Sequence, residues 1–226
     1  MKNADLLMEI YKALLAAFGP QHWWPGETRV EIAVGAILTQ NTNWSNVEKA
    51  IENLKAAGLL DLARLRDVDL RTLARLIRPS GYFNIKAKRL RAFINWIWKE
   101  FDGDFDAMFS RDLPTLREGL LSVKGIGRET ADSILLYAGG MPVFVVDAYT
   151  YRVLRRHRLI VEDADYEEIA EFFTSNLPKD VALYNEYHAL LVVLGKTVCK
   201  RRAPRCDACP IHDVFDEAPE LADEPD

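Results

Sequence analysis

Apolar residues recur at helical spacing along most of the chain. Leu6, Leu7, Ile10, Tyr11, Leu14, Leu15 and Phe18 share one face of an opening helix, because residues three and four apart stack on one side of it. Ile32, Val34, Ile37 and Leu38 mark a second helix. Val47, Ile51 and Leu54 mark a third, which Thr42, Asn43 or Ser45 is placed to cap. Leu90, Phe93, Ile94 and Ile97 define another between Ile85 and Trp98, and the pattern predicts more near 112–121, 129–138, 147–157, 165–175 and 180–195. Only Val143-Phe144-Val145-Val146 reads as a strand. Short connections carry Gly or Pro, as in Pro25-Gly26, Pro79-Ser80-Gly81 and Gly139-Gly140. The predicted fold class is all-α.

Composition changes this picture little. The 226 residues suffice for one large domain or two small lobes, and 49% hydrophobic with 28% charged residues is ordinary for a globular protein. No apolar run is long enough to span a bilayer, and the first residues resemble no signal peptide, so the expected location is cytoplasmic. Charge is uneven: seven acids and no bases lie in Asp213 to Asp226, and without them the net −5 becomes about +2. Basic groups gather in Lys86, Lys88, Arg89 and Arg91, in Arg152, Arg155, Arg156 and Arg158, and in Lys196, Lys200, Arg201 and Arg202. Overall charge therefore neither supports nor excludes a nucleic-acid partner.

Three segments carry candidate chemistry. Val123-Lys124-Gly125-Ile126-Gly127 joins two helical patterns; its glycines permit a tight turn, Ile126 anchors it, and the next helix leaves free N–H groups that suit a phosphate. Taken alone, such a turn is more often a plain connection. Twenty residues on, Asp147 precedes a helix, where an aspartate caps backbone donors and can also hold a lasting negative charge. The three cysteines, Cys199-x6-Cys206-x2-Cys209, crowd one short loop, which reads as a metal or cluster site rather than a disulfide framework.

Gly125-Ile126-Gly127-Arg128-Glu129-Thr130-Ala131-Asp132 followed by Val145-Val146-Asp147 resembles the hairpin-plus-aspartate signature of the endonuclease III family of DNA glycosylases. Gly81-Tyr82-Phe83-Asn84-Ile85-Lys86-Ala87-Lys88 and Leu38-Thr39-Gln40-Asn41-Thr42 are similar to two other family segments. The resemblance implies a two-lobed helix-hairpin-helix fold with the active site in the cleft between lobes. A six-helix lobe would span about 25–135 and a terminal lobe 1–24 with 136–198, followed by a cysteine loop at 199–212 and a disordered acidic tail at 213–226. It implies Asp147 as the catalytic carboxylate and Lys124, Gly125, Ile126, Gly127 and Arg128 as DNA contacts. Gln40 and Asn41 either fill the gap left by a flipped base or cap a helix. In bifunctional members a lysine attacks the sugar where this chain has Glu129, so the expected enzyme is monofunctional.

Within the family, Trp23-Trp24-Pro25, Arg78-Pro79-Ser80-Gly81 and the Gln-Asn-Thr segment look like the 3-methyladenine glycosylase branch. That resemblance implies a base pocket of Trp24, Pro25 and Trp44. Indole faces suit a cationic alkylated purine. The three cysteines match the first three of the family's [4Fe–4S] ligands, but the fourth position is Phe215. His212 or Asp213 could complete the set, a labile cluster or zinc could use three, or the loop could be metal-free. Damaged double-stranded DNA is the expected partner, bound by a monomer. The rival readings are an oxidised-pyrimidine or mismatch glycosylase, and a non-catalytic helix-hairpin-helix DNA-binding module.

Overall fold

A computed structural model describes residues 2–215 and is helical throughout. α1 (Asn3–Phe18) opens the chain. It is followed by α2 (Arg29–Leu38), α3 (Trp44–Ala56), α4 (Leu62–Asp67), α5 (Leu70–Leu76), α6 (Phe83–Phe101), α7 (Phe105–Phe109), α8 (Leu113–Ser122) and α9 (Arg128–Ser133). The last of these widens into a π-helical turn at Ile134–Ala138. α10 (Ala148–Arg156), α11 (Tyr166–Asn176) and α12 (Val181–Thr197) complete the set. No helix among the described residues is long and apolar enough to cross a membrane.

The chain divides into two compact units, one from Trp24 to Met141 and the other from both termini, up to Trp23 and from Pro142 onward. The central unit packs α2 on the π turn and α5 on α6. Ile37, Leu54, Leu73, Leu90, Ile94, Ile97, Leu120 and Leu135 are fully enclosed within it. Lys86 is enclosed too, and its Nζ donates to Leu38 O at 2.8 Å and Ser80 O at 2.5 Å, tying the end of α2 to the turn before α6. Burial, and secondarily Arg89, pushes its pKa down to about 8.

The terminal unit packs α1 and α10 against α12. Leu7, Ile10 and Leu14 line the inner face of α1, and Tyr187 Oη on α12 donates to Leu7 O at 2.9 Å. Each enclosed leucine or isoleucine contributes about 1.5–3 kcal/mol. Val143–Val146 is not a strand: among the described residues no second strand pairs with it. It is instead buried coil, with Phe144 stacked on Phe173 at 3.7 Å. Asp213, Val214 and Phe215 fall within the expected disordered tail, yet they are ordered, with a 3-10 turn at His212–Val214. The remainder of that tail, 216–226, lies outside the described residues.

Candidate active site

In the central unit, α8 and α9 form a helical hairpin. Its turn closes through Ile126 N–H to Val123 O at 3.0 Å, with both side chains buried, while Lys124, Gly127, Arg128 and Glu129 are exposed. Gly125 has φ +93°, and any Cβ there would run into the stem of Arg89. Gly127 caps α9 without a side chain, so the first N–H groups of α9 receive no side-chain cap. Arg117 of α8 grips the buried Asp132 of α9 with two bonds, Nε–Oδ1 at 2.6 Å and Nη2–Oδ2 at 3.0 Å. This bidentate pair fixes the hairpin angle.

Gln40 lies against the same turn. Its amide donates to Gly125 O at 3.1 Å and Thr130 Oγ1 at 2.9 Å, and its carbonyl accepts from Arg89. It caps no helix; Asn43 is the residue that caps α3. Asn41, beside it, is exposed and left-handed, with φ +53°. Sequence reasoning missed Arg89 and Thr130 as supports of the hairpin, since their meeting with Gln40 depends on how α2, α6 and α9 pack.

Trp24 lies edge-on to Trp44, with ring centres 5.1 Å apart, and tilted against Tyr137 at 5.0 Å. Gly35 of α2 leaves room for the indole, because a Cβ would sit 3.1 Å from Trp24 Nε1. The indole N–H of Trp44 donates to Glu48 Oε1, one turn along α3, at 2.8 Å. Pro25 is exposed. Tyr137 was absent from the expected pocket; the π turn, which no spacing rule foretells, brings it to Trp24.

In the terminal unit, Asp147 caps α10: Oδ1 accepts from Thr150 N at 2.8 Å and Thr150 Oγ1 at 3.0 Å. Seven of the described helices are capped by aspartate, so capping alone does not single it out. Asp61, Asp69, Asp104, Asp112, Asp165 and Asp180 are all exposed, whereas the Asp147 side chain is only 11% exposed. Its Oδ2 faces His188 Nε2 at 3.4 Å. Burial pushes the carboxyl up, but His188 and the two Thr150 donors outweigh it and hold the pKa below the ordinary aspartate value. His188 carries no sequence signal beyond being a histidine on an apolar helix, and was missed.

Cys199, Cys206 and Cys209 line one cavity with His212, Arg156 and His157, while Asp213 is exposed. Arg156 reaches Cys199 Sγ at 3.3 Å and donates to Lys200 O and Arg201 O at 2.8 and 3.0 Å. Phe215, at the position of the family's fourth cysteine, stacks on His157 at 4.0 Å. Among the described residues no three His, Cys, Asp or Glu side chains are gathered closely enough to hold a metal ion. Three thiols and a phenyl ring do not fit a four-thiolate cluster.

A hairpin with a bare helix start and a withdrawn aspartate cap define a helix-hairpin-helix protein of glycosylase type. Residues 34–179 match the model of the HhH-GPD superfamily of base excision DNA repair proteins. A Methanocaldococcus jannaschii protein, provisionally named a DNA repair glycosylase, is 51% identical over 92% of this chain and 94% of its own. Endonuclease III of Sulfolobus acidocaldarius is 30% identical over 83% of this chain and 82% of its own. Among solved structures, H. pylori 3-methyladenine DNA glycosylase bound to 1,N6-ethenoadenine superposes with a TM-score of 0.75 at 33% identity, over 87% of this chain and 98% of that one. An endonuclease III trapped on DNA shares the fold at a TM-score of 0.80 and 21% identity, over 96% and 97% of the two chains. The chain belongs to the HhH-GPD superfamily of base excision DNA repair proteins, and its likeness runs to the endonuclease III family and its 3-methyladenine branch.

Proposed function

We propose that the protein is a monofunctional DNA glycosylase that excises alkylated purines of the 3-methyladenine type from double-stranded DNA. The observation that carries this reading is Asp147, the one aspartate cap among the described helices withdrawn from water, with one oxygen spent on α10 and the other on His188. A carboxylate so placed stabilises positive charge developing at C1′ as the C1′–N bond breaks and the base leaves with the bonding pair. Water then adds to C1′, and its proton passes to the carboxylate or to solvent.

The aromatic group supports the substrate class. Trp24, Trp44 and Tyr137, flanked by Pro25, offer π faces to a flipped base, and an N-alkylated purine that carries a positive charge is drawn to them. Such a base is already a good leaving group and needs no strong acid. The likeness to a 3-methyladenine glycosylase points the same way.

Glu129 cannot form an imine. Lys124 is exposed in the hairpin, where with Arg128 and the backbone of Gly125, Ile126 and Gly127 it suits a phosphate. Lys86, whose pKa is low enough for a nucleophile, is sealed behind two carbonyl bonds. Hydrolysis without strand cleavage follows. In this reading Gln40 steadies the hairpin and Asn41 fills the gap left by the base. The cysteine loop presents Lys200, Arg201, Arg202 and Arg205 to DNA and takes no part in chemistry. The reading places the protein, as a monomer, with the DNA in the cytoplasm.

The test is chromatography of bases released from methylated duplex DNA, with Asp147→Asn as control. Release of 3-methyladenine by the unaltered protein alone is expected. No release would refute the alkylpurine assignment and turn attention to oxidised and mismatched substrates. Borohydride should trap no covalent adduct; an adduct would overturn the monofunctional reading.

A further inference from the structure

Oδ1 of Asp147 is held twice, by the N–H and hydroxyl of Thr150. Both bonds come from α10 and hold the group at that one oxygen, so the setting of the carboxylate rests on α10 alone unless Oδ2 has a partner too. The group that meets Oδ2 comes from another helix: His188 of α12, itself only 8% exposed at its side chain, with Nε2 at 3.4 Å. That distance is longer than an ordinary N–H···O bond.

The helix carrying His188 is locked to the helix that Asp147 caps. Arg152 of α10 is buried and donates to Gly195 O at 3.0 Å and Cys199 O at 2.9 Å. Gly195 lets the Tyr149 ring lie directly on α12, since a Cβ there would overlap the ring. The other titratable groups near the carboxylate are Tyr149 and Arg152 on α10, with the guanidinium over the Tyr149 ring, and Tyr166 on α11, whose hydroxyl accepts from Val146 N. Tyr187 and Ala189, on either side of His188 in sequence, are buried in the core, and the Tyr187 hydroxyl is spent on Leu7 O. A polar ring kept among them, where an apolar one would cost nothing in desolvation, points to use.

We propose that His188 is a positioning residue for base excision, holding the second oxygen of Asp147 in one orientation so that the carboxylate meets the sugar without rearranging. The inference rests on the reading of Asp147 as the catalytic carboxylate. His188 touches no substrate; it acts through Asp147.

The experiment measures single-turnover base release from methylated duplex DNA between pH 3.5 and 8, with DNA affinity and thermal midpoint, for the unaltered protein and three variants. His188→Met removes the imidazole nitrogens at similar length, and is expected to lower the rate by about 10- to 100-fold with DNA affinity little changed. His188→Gln keeps a donor, so it should recover most of the rate near neutrality. Having lost the imidazole beside the carboxylate, its acid limb should move to higher pH. A His188→Met variant with full rate, or a His188→Gln variant whose pH profile superimposes on the unaltered one, would reduce His188 to core packing. If His188→Met does not fold, the His188→Gln profile decides alone. Asp147→Asn keeps the two failures apart: turnover by that variant would sink the catalytic reading itself, whatever His188 does.

Discussion

At the scale of single residues, exposure separates side chains of one type that otherwise do the same work. Asp147 and six other aspartates all cap helices, yet only Asp147 has lost its water. The same contrast bears on the indoles. Trp44 is half-buried and tethered to Glu48 on an exposed helix face, so Trp44→Ala should cost about 1 kcal/mol of stability while sharply reducing release of alkylated bases. A loss of fold matching the loss of activity would return Trp44 to the core. Trp24 touches Gly35, Trp44 and Tyr137, and Trp24→Ala should destabilise more than Trp44→Ala. Lys86 gives a pH prediction. Its folded pKa, about 8, lies below its unfolded 10.5, so the unfolded chain binds more protons in between and stability rises with pH across that window. Urea unfolding at pH 7.5, 9 and 10 should show the unaltered protein gaining on Lys86→Met; a constant gap would mean that Lys86 stays fully charged. Asp147 and the tryptophans could be named as candidates because they fall on motif spacings. His188 and Tyr137 could not, because their roles depend on which helix packs where.

Among elements, the long helices were readable from periodicity, and the bounds agree to within about three residues at most ends. Three short ones were missed. α4, α5 and α7 run for six, seven and five residues, too few for an apolar stripe to repeat. Asp61, Asp69 and Asp104, each followed by an apolar residue and bonded to the first-turn N–H groups, were the available signal. The Arg117–Asp132 pair helps hold the α8–α9 hairpin: Arg117→Ala would take two bonds from a buried carboxylate and should cost about 3 kcal/mol, measurable as a lowered denaturant midpoint. The cysteine loop makes a prediction of gain. With Arg156 and the His157–Phe215 stack already closing it, the unaltered loop should carry no stoichiometric iron. Phe215→Cys would supply the fourth thiolate, and anaerobic reconstitution should then load iron and sulfide. Iron in the unaltered protein as isolated would contradict the closure described.

Over the whole molecule, fold class was legible because periodicity and short Gly- and Pro-bearing connections agree along the chain. Net charge was misleading because it averages a basic body with acids near one end. Residues 216–226 carry six acids, so a chain ending at Phe215 would shift from −5 to about +1. That shortened chain should bind duplex DNA more tightly at low salt, with the difference fading at high salt as long-range charge is screened. Equal affinity at all salt concentrations would show that the acids are electrostatically remote from the DNA.

The terminal unit joins α1 to α12, and Leu7 meets Tyr187 across 180 residues of chain. During synthesis, α1 leaves the ribosome long before its partners exist, with Leu7, Ile10 and Leu14 exposed in the meantime. The central unit, contiguous from Trp24 to Met141, can mature first and bring the two ends nearer, which lessens the entropy of closing so long a loop. The half that carries Asp147 is therefore the last to form on a nascent chain, and an interrupted chain holds its hairpin before it holds the carboxylate proposed for catalysis.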